Sequence, residues 1–297
     1  MKTNIIVDCP ACESLDTKIV FTPNKNDWES FRLLSNTKYN GIMNSWSDFL
    51  DLNVKQCNRC QHLWHHIQPD FSSLMKMYDS HSIMKKKRSG STVPNKNIFK
   101  SMEKLYKLSV KINKSQPTFL DYGSGSGRFS KAALKAGFDV WSFEPSLKRR
   151  NEQENGYITV NILDELNGLK FDVINLEQVL EHVKDPYEII KSLLPYLKTK
   201  SIVRVTTPNL GKYNAKKLWN TFPYDGKKQH DLSPYEHLHG FNSQSLRILL
   251  KRLNLSQVKN IHVLVTHPYQ LMRFITGIIS IKLGATSFIV TLDKEKL

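Results

Sequence analysis

Short apolar runs alternate with stretches of helical periodicity through the second half of the chain. The run 171–176 is almost continuously apolar, which is typical of a strand buried on both faces of a sheet. Apolar residues recur at helical spacing over 97–108, so we predict a helix that leads into the first strand. The same patterns predict a strand ending at 120, strands over 138–143, 157–160, 201–206, 258–265 and 287–292, and helices over 129–136, 187–197, 242–252 and 268–283. This alternation predicts an α/β fold in which helices cover a sheet.

A glycine-rich loop separates the first of these strands from the helix that follows it. Asp121 stands at the strand end, Gly123, Gly125 and Gly127 follow at alternate positions, and the helical pattern then begins. Strand, glycine turn and helix form the opening of a nucleotide-binding βαβ unit. Glycine permits backbone angles closed to other residues and lets a ligand approach the main chain without meeting a Cβ atom. We therefore predict a ligand site over this loop.

Acidic residues at two strand ends indicate which nucleotide the loop binds. A carboxylate at Asp121 suits a cationic amino group and opposes a pyrophosphate, because two anions would be brought together. Glu144 closes the next apolar run 23 positions later, a spacing that suits a carboxylate bound to two ribose hydroxyls. S-adenosylmethionine (SAM) carries an ammonium and a sulfonium group and no phosphate. The pattern therefore favours SAM over a dinucleotide.

Together with the motifs at 171–186 and 206–209, this segment resembles the class I SAM-dependent methyltransferases, in the branch that reads Glu-His-Val-x-Asp-Pro after the fourth strand. The resemblance covers roughly residues 118–255. It implies a Rossmann-like sheet of seven mixed strands, with the methionine end of SAM on the glycine loop, the ribose on Glu144 and the adenine beside Asn161. The implied SAM-binding residues are Asp121, Gly123, Ser124, Gly125, Gly127, Glu144, Asn161, Ile162 and Glu177.

All four cysteines fall into two Cys-x-x-Cys pairs, Cys9 with Cys12 and Cys57 with Cys60. The sequence shows no secretory signal, and in that context such pairs favour a structural zinc ion bound by four thiolates over disulfides. Because 44 residues separate the two pairs, we predict a small N-terminal zinc ribbon that carries an insert.

The front end also resembles the zinc-binding module of the sugar C-methyltransferases. The second cysteine pair is followed by an aromatic-rich strand and by the segment 69–78, in which that family brings tyrosines toward the substrate. Tyr78 carries over from this match. A later Tyr-Glu-His-Leu segment resembles the family's Glu-His-Leu motif, which implies that His237 acts as a base beside Glu236. A neutral imidazole suits removal of a proton from a hydroxyl or an activated C–H group. The family's further C-terminal domain has no counterpart in these 297 residues, which leaves sugar C-methylation open.

His182 follows the fourth strand and is a second candidate base. Related O-methyltransferases of quinone precursors read Glu-x-x-Glu-His here, and those three side chains hold a divalent metal. Alignment on His182 places Gln178 where the first glutamate would be. A neutral amide is a poor replacement for a carboxylate ligand of a hard cation, so the sequence disfavours magnesium. A packing role for His182 beneath the sulfonium site is the alternative.

The chain carries 43 basic and 27 acidic residues, a net charge of +16. Much of the excess is scattered lysine, which is typical of a solvated surface, and an anionic substrate such as a nucleotide sugar or a nucleic acid is the functional alternative. The densest basic run, 85–88, lies in an apparent linker. Charged residues and glycines interrupt the apolar stretch 271–290, which falls short of a membrane span. We therefore expect a cytoplasmic protein without a membrane span.

The sequence predicts a zinc-ribbon-like module with an insert over 1–79, a linker or lid over 80–97, and a SAM-dependent methyltransferase domain over 98–297. The predicted acceptor is a small polar molecule, such as a sugar or a cell-envelope or secondary-metabolite precursor. The alternative acceptor is an RNA or a protein bound through the basic zinc module. Base-directed enzymes carry Asn/Asp-Pro-Pro-Tyr after the fourth strand, whereas this chain carries Glu-Gln-Val-Leu, so nucleic acid is disfavoured. An inactive scaffold is disfavoured because the loop glycines and Glu144 are all present.

Overall fold

The computed structural model describes residues 3–45, 52–80, 93–113, 115–151, 156–212, 230–257 and 285–292 of the 297-residue chain. Several predicted features lie outside these ranges: most of the linker, the basic run 85–88, the aromatic segment 213–229, the strand 258–265 and the helix 268–283. Within the described ranges, no helix is both long and apolar enough to cross a membrane.

The first 80 residues combine short strands with two helices. In chain order, the elements are β1 (Thr3–Ile5), β2 (Thr17–Phe21), α1 (Lys25–Lys38), β3 (Val54–Cys57), β4 (Leu63–His65), β5 (Ile67–Pro69) and α2 (Phe71–Ser80). β1 pairs with β5, while β2, β3 and β4 pair antiparallel in succession. α1 begins at a capping box, in which Asn24 and Asp27 each accept a hydrogen bond from the other's backbone N–H. These caps fix where the helix between the two cysteine pairs begins.

The rest of the described chain alternates helices and strands. In chain order, the elements are α3 (Lys96–Asn113), β6 (Thr118–Tyr122), α4 (Arg128–Ala136), β7 (Asp139–Phe143), α5 (Leu147–Arg150), β8 (Ile158–Val160), β9 (Phe171–Glu177), α6 (Pro186–Leu193), β10 (Leu197–Pro208), β11 (His239–Gly240), α7 (Ser243–Arg252), β12 (Leu255–Gln257) and β13 (Ala285–Leu292). α2 and α3 occupy the two ends of the predicted linker 80–97. α6 begins at Asp185, whose carboxylate accepts two backbone N–H groups, with proline at the first position as predicted.

Five parallel strands form the central sheet in the order β10-β9-β6-β7-β8. β13 pairs antiparallel with β10, and β12 pairs antiparallel with β13, at one edge. β9 is buried over almost its whole length, as expected of a strand covered on both faces. The predicted α/β fold is confirmed. β10 is longer than the predicted strand 201–206, because the pattern lost its apolar character near residue 200.

The strand order places a ligand crevice beside β6. From β6 the chain proceeds to β7 and β8 on one side and then crosses to β9 and β10 on the other. In open α/β sheets, ligands bind beyond the carboxyl ends of the strands where the winding direction reverses. That point lies between β6 and β9, where the glycine loop and the loop after β9 meet.

The N-terminal elements share both a sheet and a core with the second half of the chain. β11 pairs with β4, with His239 opposite Trp64, and completes a four-stranded sheet of order β11-β4-β3-β2. Phe31 of α1 and Met77 of α2 pack in one buried cluster with Tyr235. The predicted module over 1–79 therefore receives a strand and core residues from beyond its predicted boundary.

Candidate active site

The glycines after β6 adopt a backbone conformation that other residues resist. φ is +72° at Gly123, +56° at Gly125 and +75° at Gly127, all in the left-handed region that favours glycine. A Cβ atom at Gly123 would lie 2.8 Å from Cγ2 of Val179 in the loop after β9. Backbone angle and space thus both exclude a side chain at Gly123, where Val179 packs against the main chain.

Asp121 lies beneath this loop in a buried network of polar side chains. Its side chain is 2% exposed. The hydroxyl of Ser130 donates to one carboxylate oxygen at 2.7 Å, and the amide of Asn175 donates to the other at 2.8 Å. Arg204 extends the network by donating to Asn175 at 2.6 Å and to the carboxylate of Glu177. Burial raises the pKa of Asp121, although the two hydrogen bonds act in the opposite direction.

Glu144 faces the glycine loop from the end of β7. Its carboxylate accepts hydrogen bonds from the backbone N–H of Gly125 at 2.8 Å and of Ser146 at 2.9 Å. Burial raises its pKa. Asn161 and Ile162 follow the neighbouring strand β8 and are exposed, Ile162 to 56%. The structure thus brings the predicted ribose and adenine residues to the same edge of the sheet as the glycine loop.

Three other predicted residues meet on the loop after β9 and the segment before β11. One ring nitrogen of His182, one ring nitrogen of His237 and a carboxylate oxygen of Glu236 lie within 4.8 Å of one another. The two rings are 4.6 Å apart and nearly perpendicular. Nδ1 of His182 lies 2.7 Å from the carbonyl of Glu236, and Nδ1 of His237 lies 3.0 Å from the carbonyl of Asp231. Because a carbonyl only accepts, each Nδ1 carries the hydrogen and each Nε2 keeps a lone pair.

The electrostatics keep these two rings neutral and Glu236 ionised. Burial and the neighbouring His237 lower the pKa of His182 to about 3. Burial also lowers the pKa of His237, although Glu236 acts in the opposite direction. Burial would raise the pKa of Glu236, but the charge of Lys38, followed by the two histidines, lowers it below its ordinary value. Two neutral imidazoles beside a carboxylate form a site that can accept a proton.

Residues that sequence reasoning missed reach this site from α1. Lys38 donates to both carboxylate oxygens of Glu236, at 2.9 and 2.8 Å, and the hydroxyl of Tyr39 also donates to Glu236. A separation of 198 residues between Lys38 and Glu236 leaves no local pattern by which the sequence could have revealed the pair. Burial raises the pKa of Tyr39 well above its ordinary value, as does the nearby carboxylate.

α2 connects the two groups of residues. Tyr78, near its end, lies 3.0 Å from Nδ1 of His182. The next residue, Asp79, accepts a hydrogen bond at 3.0 Å from the hydroxyl of Ser146, which follows Glu144. One helix end therefore contacts both the glycine-loop side and the histidine side of the crevice.

Glu181 is a second feature that the sequence did not single out. Its side chain is 1% exposed, and neither carboxyl oxygen has a hydrogen-bond partner on another residue of the described chain. Burial raises its pKa well above its ordinary value. Burial of a carboxyl without a partner favours its neutral form over the carboxylate.

The four cysteines converge as the paired motifs predicted. Their sulfur atoms lie within 4.8 Å of one another, and all four residues are buried. The Sγ atoms of Cys9 and Cys60 are 3.5 Å apart, as are those of Cys12 and Cys57. These distances are too long for disulfide bonds, which need about 2.05 Å, and the thiols are free.

α7 holds both cysteine knuckles from outside. The amide of Asn242, the cap residue of α7, donates to the carbonyls of Cys60 at 3.1 Å and Gln61 at 2.9 Å. At the other end of the helix, Arg252 donates to the carbonyl of Ala11 at 3.1 Å. The cysteine cluster is thereby fastened to the segment that follows His237.

Comparison with known proteins identifies the central part of the chain. A family model described as a methyltransferase domain matches residues 95–260. The ubiquinone biosynthesis O-methyltransferase of Actinobacillus pleuropneumoniae serotype 5b is 33% identical over 105 residues, which cover 30% of this chain and 45% of that protein. The Haemophilus ducreyi protein of the same name is 30% identical over 105 residues, covering 30% of this chain and 44% of that one. The match thus spans less than half the length of these curated relatives.

Two solved methyltransferase structures align with this chain at low sequence identity. The plantazolicin methyltransferase BpumL in complex with SAH is 14% identical, with 90% of this chain and 99% of that chain covered and a TM-score of 0.47. The CcbJ methyltransferase from Streptomyces caelestis is 15% identical, with 40% and 52% covered and a TM-score of 0.34.

Proposed function

The chain belongs to the methyltransferase-domain family, and on that premise we propose that it transfers a methyl group from SAM to a hydroxyl group of a small polar acceptor. The observation that carries the choice of acceptor group is the pair of imidazoles, His182 and His237, each with Nδ1 bonded to a carbonyl and Nε2 unprotonated. A neutral imidazole is suited to remove a proton from a hydroxyl near neutral pH, and His237 is the stronger candidate because burial lowers the pKa of His182 to about 3. A hydroxylated metabolite, such as a sugar or a phenol, is the class of acceptor that fits.

The glycine loop fits SAM because part of its main chain is uncovered. A Cβ atom at Gly125 would lie 3.4 Å from the guanidinium of Arg149 and meet nothing else within 4 Å, so a ligand can approach the main chain there. We assign the methionine end to this loop, with Asp121 orienting it from below, and the ribose to Glu144. When bound, SAM supplies an electrophilic methyl group on a sulfonium that is a good leaving group. The chain's contribution is then alignment of the acceptor with that methyl group.

We assign proton transfer to His237. As the new O–C bond forms, the acceptor's O–H proton passes to Nε2 of His237, which becomes an imidazolium. The Glu236 carboxylate, within 4.8 Å of both rings, favours that charged form. His182 and Tyr78 line the same side and hold the acceptor oxygen.

We further infer that the four cysteines hold one structural zinc ion. Tetrahedral coordination with Zn–S bonds of about 2.3 Å separates the sulfur atoms by about 3.8 Å, close to the 3.5 Å of the two paired sulfurs. Four protein thiolates leave no open position, so the role is structural. In this proposal, residues 1–79 form the zinc-ribbon module with β11 as an added strand, 98–297 form the methyltransferase domain that supplies that strand, and 80–97 join them.

Methyl transfer from radiolabelled SAM tests the function. The protein would be offered a panel of sugars, nucleotide sugars and phenols, alongside total RNA and a protein extract. We expect label in a hydroxylated small molecule, with a loss of at least about a hundredfold in His237→Gln, while calorimetry gives unchanged SAM affinity. Label found only in RNA or protein would show that the acceptor is a macromolecule and not a small molecule. Failure of the wild-type protein to bind SAM would refute the proposal.

A further inference from the structure

The ion pair between Lys38 and Glu236 lies in the acceptor site and has no assigned role. Lys38 is the last residue of α1, in the insert between the two cysteine pairs. Its ammonium group contacts both oxygens of Glu236, and the two side chains are 23% and 10% exposed. A long lysine side chain loses much rotamer freedom when it is held in this way. The Lys38–Glu236 ion pair joins distant segments despite this loss of entropy, and we ask what it contributes to the site.

Packing fixes the end of α1 against the segment that carries Glu236. Phe31 and Leu34 of α1 lie in a buried cluster with Tyr235 and Leu238. The rings of Phe31 and Tyr235 are 5.5 Å apart in an edge-to-face arrangement. Tyr39, which follows Lys38, is fully buried and donates its hydroxyl to Glu236. The ammonium is therefore held at one place in the site rather than reaching it from solvent.

The ammonium also explains why this group of ligand-type atoms does not suit a metal ion. His182, His237 and Glu236 have the spacing of a metal site. Lys38, however, contacts both carboxylate oxygens and places a positive charge there. A divalent cation would meet that charge at close range and lose the carboxylate ligand. The positive charge that pairs with Glu236 is thus the ammonium group of Lys38.

We propose that Lys38 is a positioning residue of the methyl-transfer reaction, whose ammonium group compensates the charge of Glu236 so that His182 and His237 stay neutral and able to accept a proton. The inference rests on the proposed function, because it assigns a role within that acceptor site. It also means that the insert between the cysteine pairs supplies a working part of the site.

The electrostatics agree with this role. Burial is the main cause that lowers the pKa of His182 and of His237; Glu236 raises both values, and Lys38 lowers them further. Without the ammonium, the carboxylate would act on the imidazoles uncompensated, and it would favour their protonated form. Other titratable groups also act on the cluster or its neighbours. They are Tyr39 just after α1, Tyr78 from α2, Arg149 from α5, His65 from β4, Glu144 after β7, Glu181 from the loop after β9 and Asp231 before Glu236.

Imidazole titration in the full chain tests the proposal without an identified acceptor. Histidine signals would be followed by NMR between about pH 5 and pH 8 in the wild type and in Lys38→Met, with His182→Gln and His237→Gln for assignment. In the wild type, we expect His182 to stay neutral over this range and His237 to titrate below the ordinary pKa of a histidine. In Lys38→Met, we expect the imidazolium-to-imidazole ratio of His237 to rise about tenfold at a given pH, whereas His182, whose pKa is about 3, stays neutral.

Matched variants separate this role from a merely structural one. Lys38→Arg keeps the charge and should titrate like the wild type, and Lys191→Met, at an exposed lysine paired with Glu188, should change nothing. In a Glu236→Gln background, Lys38→Met should lose its effect, because the carboxylate on which it acts is gone. Unchanged titration in a folded Lys38→Met protein would overturn the proposal. SAM affinity, measured in parallel, should be unaltered in Lys38→Met; absence of SAM binding in the wild type would instead remove the proposed function.

Discussion

The hydroxyl of Tyr78 lies 3.0 Å from Nδ1 of His182, so the end of α2 touches the loop after β9. Nδ1 of His182 already donates to the carbonyl of Glu236 at 2.7 Å. Tyr78 can therefore only accept a share of that N–H, and its own hydroxyl proton is free for another acceptor. Burial raises the pKa of Tyr78 well above its ordinary value, so the phenol stays neutral. A neutral phenol beside His182 is suited to hold the acceptor oxygen in line with the methyl group.

Tyr78→Phe removes the hydroxyl that is proposed to donate to the acceptor oxygen, and it keeps the aromatic ring. Under the proposed function, we expect kcat to fall about ten- to a hundredfold, because the acceptor oxygen loses a positioned donor. SAM affinity should not change. Steady-state transfer assays and calorimetry measure the two effects. Tyr196→Phe is the control, since that hydroxyl bonds to Leu163 and Asn167 away from the site, and a similar loss of kcat in the control would contradict the assignment.

Gly123→Val should abolish SAM binding. The added Cβ atom would lie 2.8 Å from Val179, and the strained φ costs on the order of 1 kcal/mol in addition. The loop must then shift from the floor of the site, and we expect at least a hundredfold weaker SAM binding by calorimetry. Gly168→Ala is the matched control, because φ there is also positive, at +83°, but nothing lies within 4 Å. Normal SAM binding by Gly123→Val would refute a SAM site on this loop.

Glu181→Gln should make stability less dependent on pH. The pKa of Glu181 is raised in the folded protein by burial, so the folded state binds this proton more tightly than the unfolded chain does. The resulting stabilisation is complete below the unfolded pKa and is lost as pH rises through the folded pKa.

The measurement is urea unfolding at about pH 5 and pH 8. From pH 5 to pH 8, the free energy of unfolding should fall by about 1 kcal/mol less in Glu181→Gln than in the wild type. The reason is that an amide has the shape of the neutral carboxyl but no proton to lose. Glu188→Gln, at an exposed glutamate of α6, should show no such gain. A parallel pH dependence in Glu181→Gln and the wild type would mean that this carboxyl finds a partner.

Asn242→Asp should weaken the inferred zinc site without uncapping α7. Aspartate keeps the oxygen that accepts the N–H groups of Gln244 and Ser245. It loses the N–H donors to Cys60 and Gln61 and brings a negative charge toward thiolates. We expect a zinc affinity about ten- to a hundredfold lower, in line with other losses of outer-shell contacts.

Competition with a chromogenic chelator measures that affinity, after metal analysis has established zinc in the wild type. Asn167→Asp, an exposed position outside the module, is the control. Complete chelation should lower the free energy of unfolding by several kcal/mol. An unaltered unfolding curve after chelation, or a protein purified without zinc, would count against the metal.

The sequence predicted those parts of the site whose residues lie close together along the chain. The glycine loop, Glu144 and the cysteine pairs each concentrate their signal within a few residues, and the structure brings each group together. Lys38 and Glu177 illustrate the limit. Lys38 meets Glu236 only because two distant segments pack together, and Glu177, predicted at the ligand edge, bonds to Arg204. Such pairings depend on tertiary packing, which no periodicity records.

β11 shows the same limit at the level of domains. Residues 239–240 complete a sheet begun before residue 66, whereas composition suggested a boundary near residue 79. Two residues are too few to carry a strand pattern of their own, so this pairing could be read only from the fold.

The helix α1 lies between the cysteine pairs, apart in sequence from the glycine loop and Glu144. A change in that insert alters Lys38 and Tyr39 while leaving the proposed SAM-binding residues untouched. Under the two proposals above, exchange of this one short stretch would change the charge beside Glu236 while leaving the proposed donor residues in place.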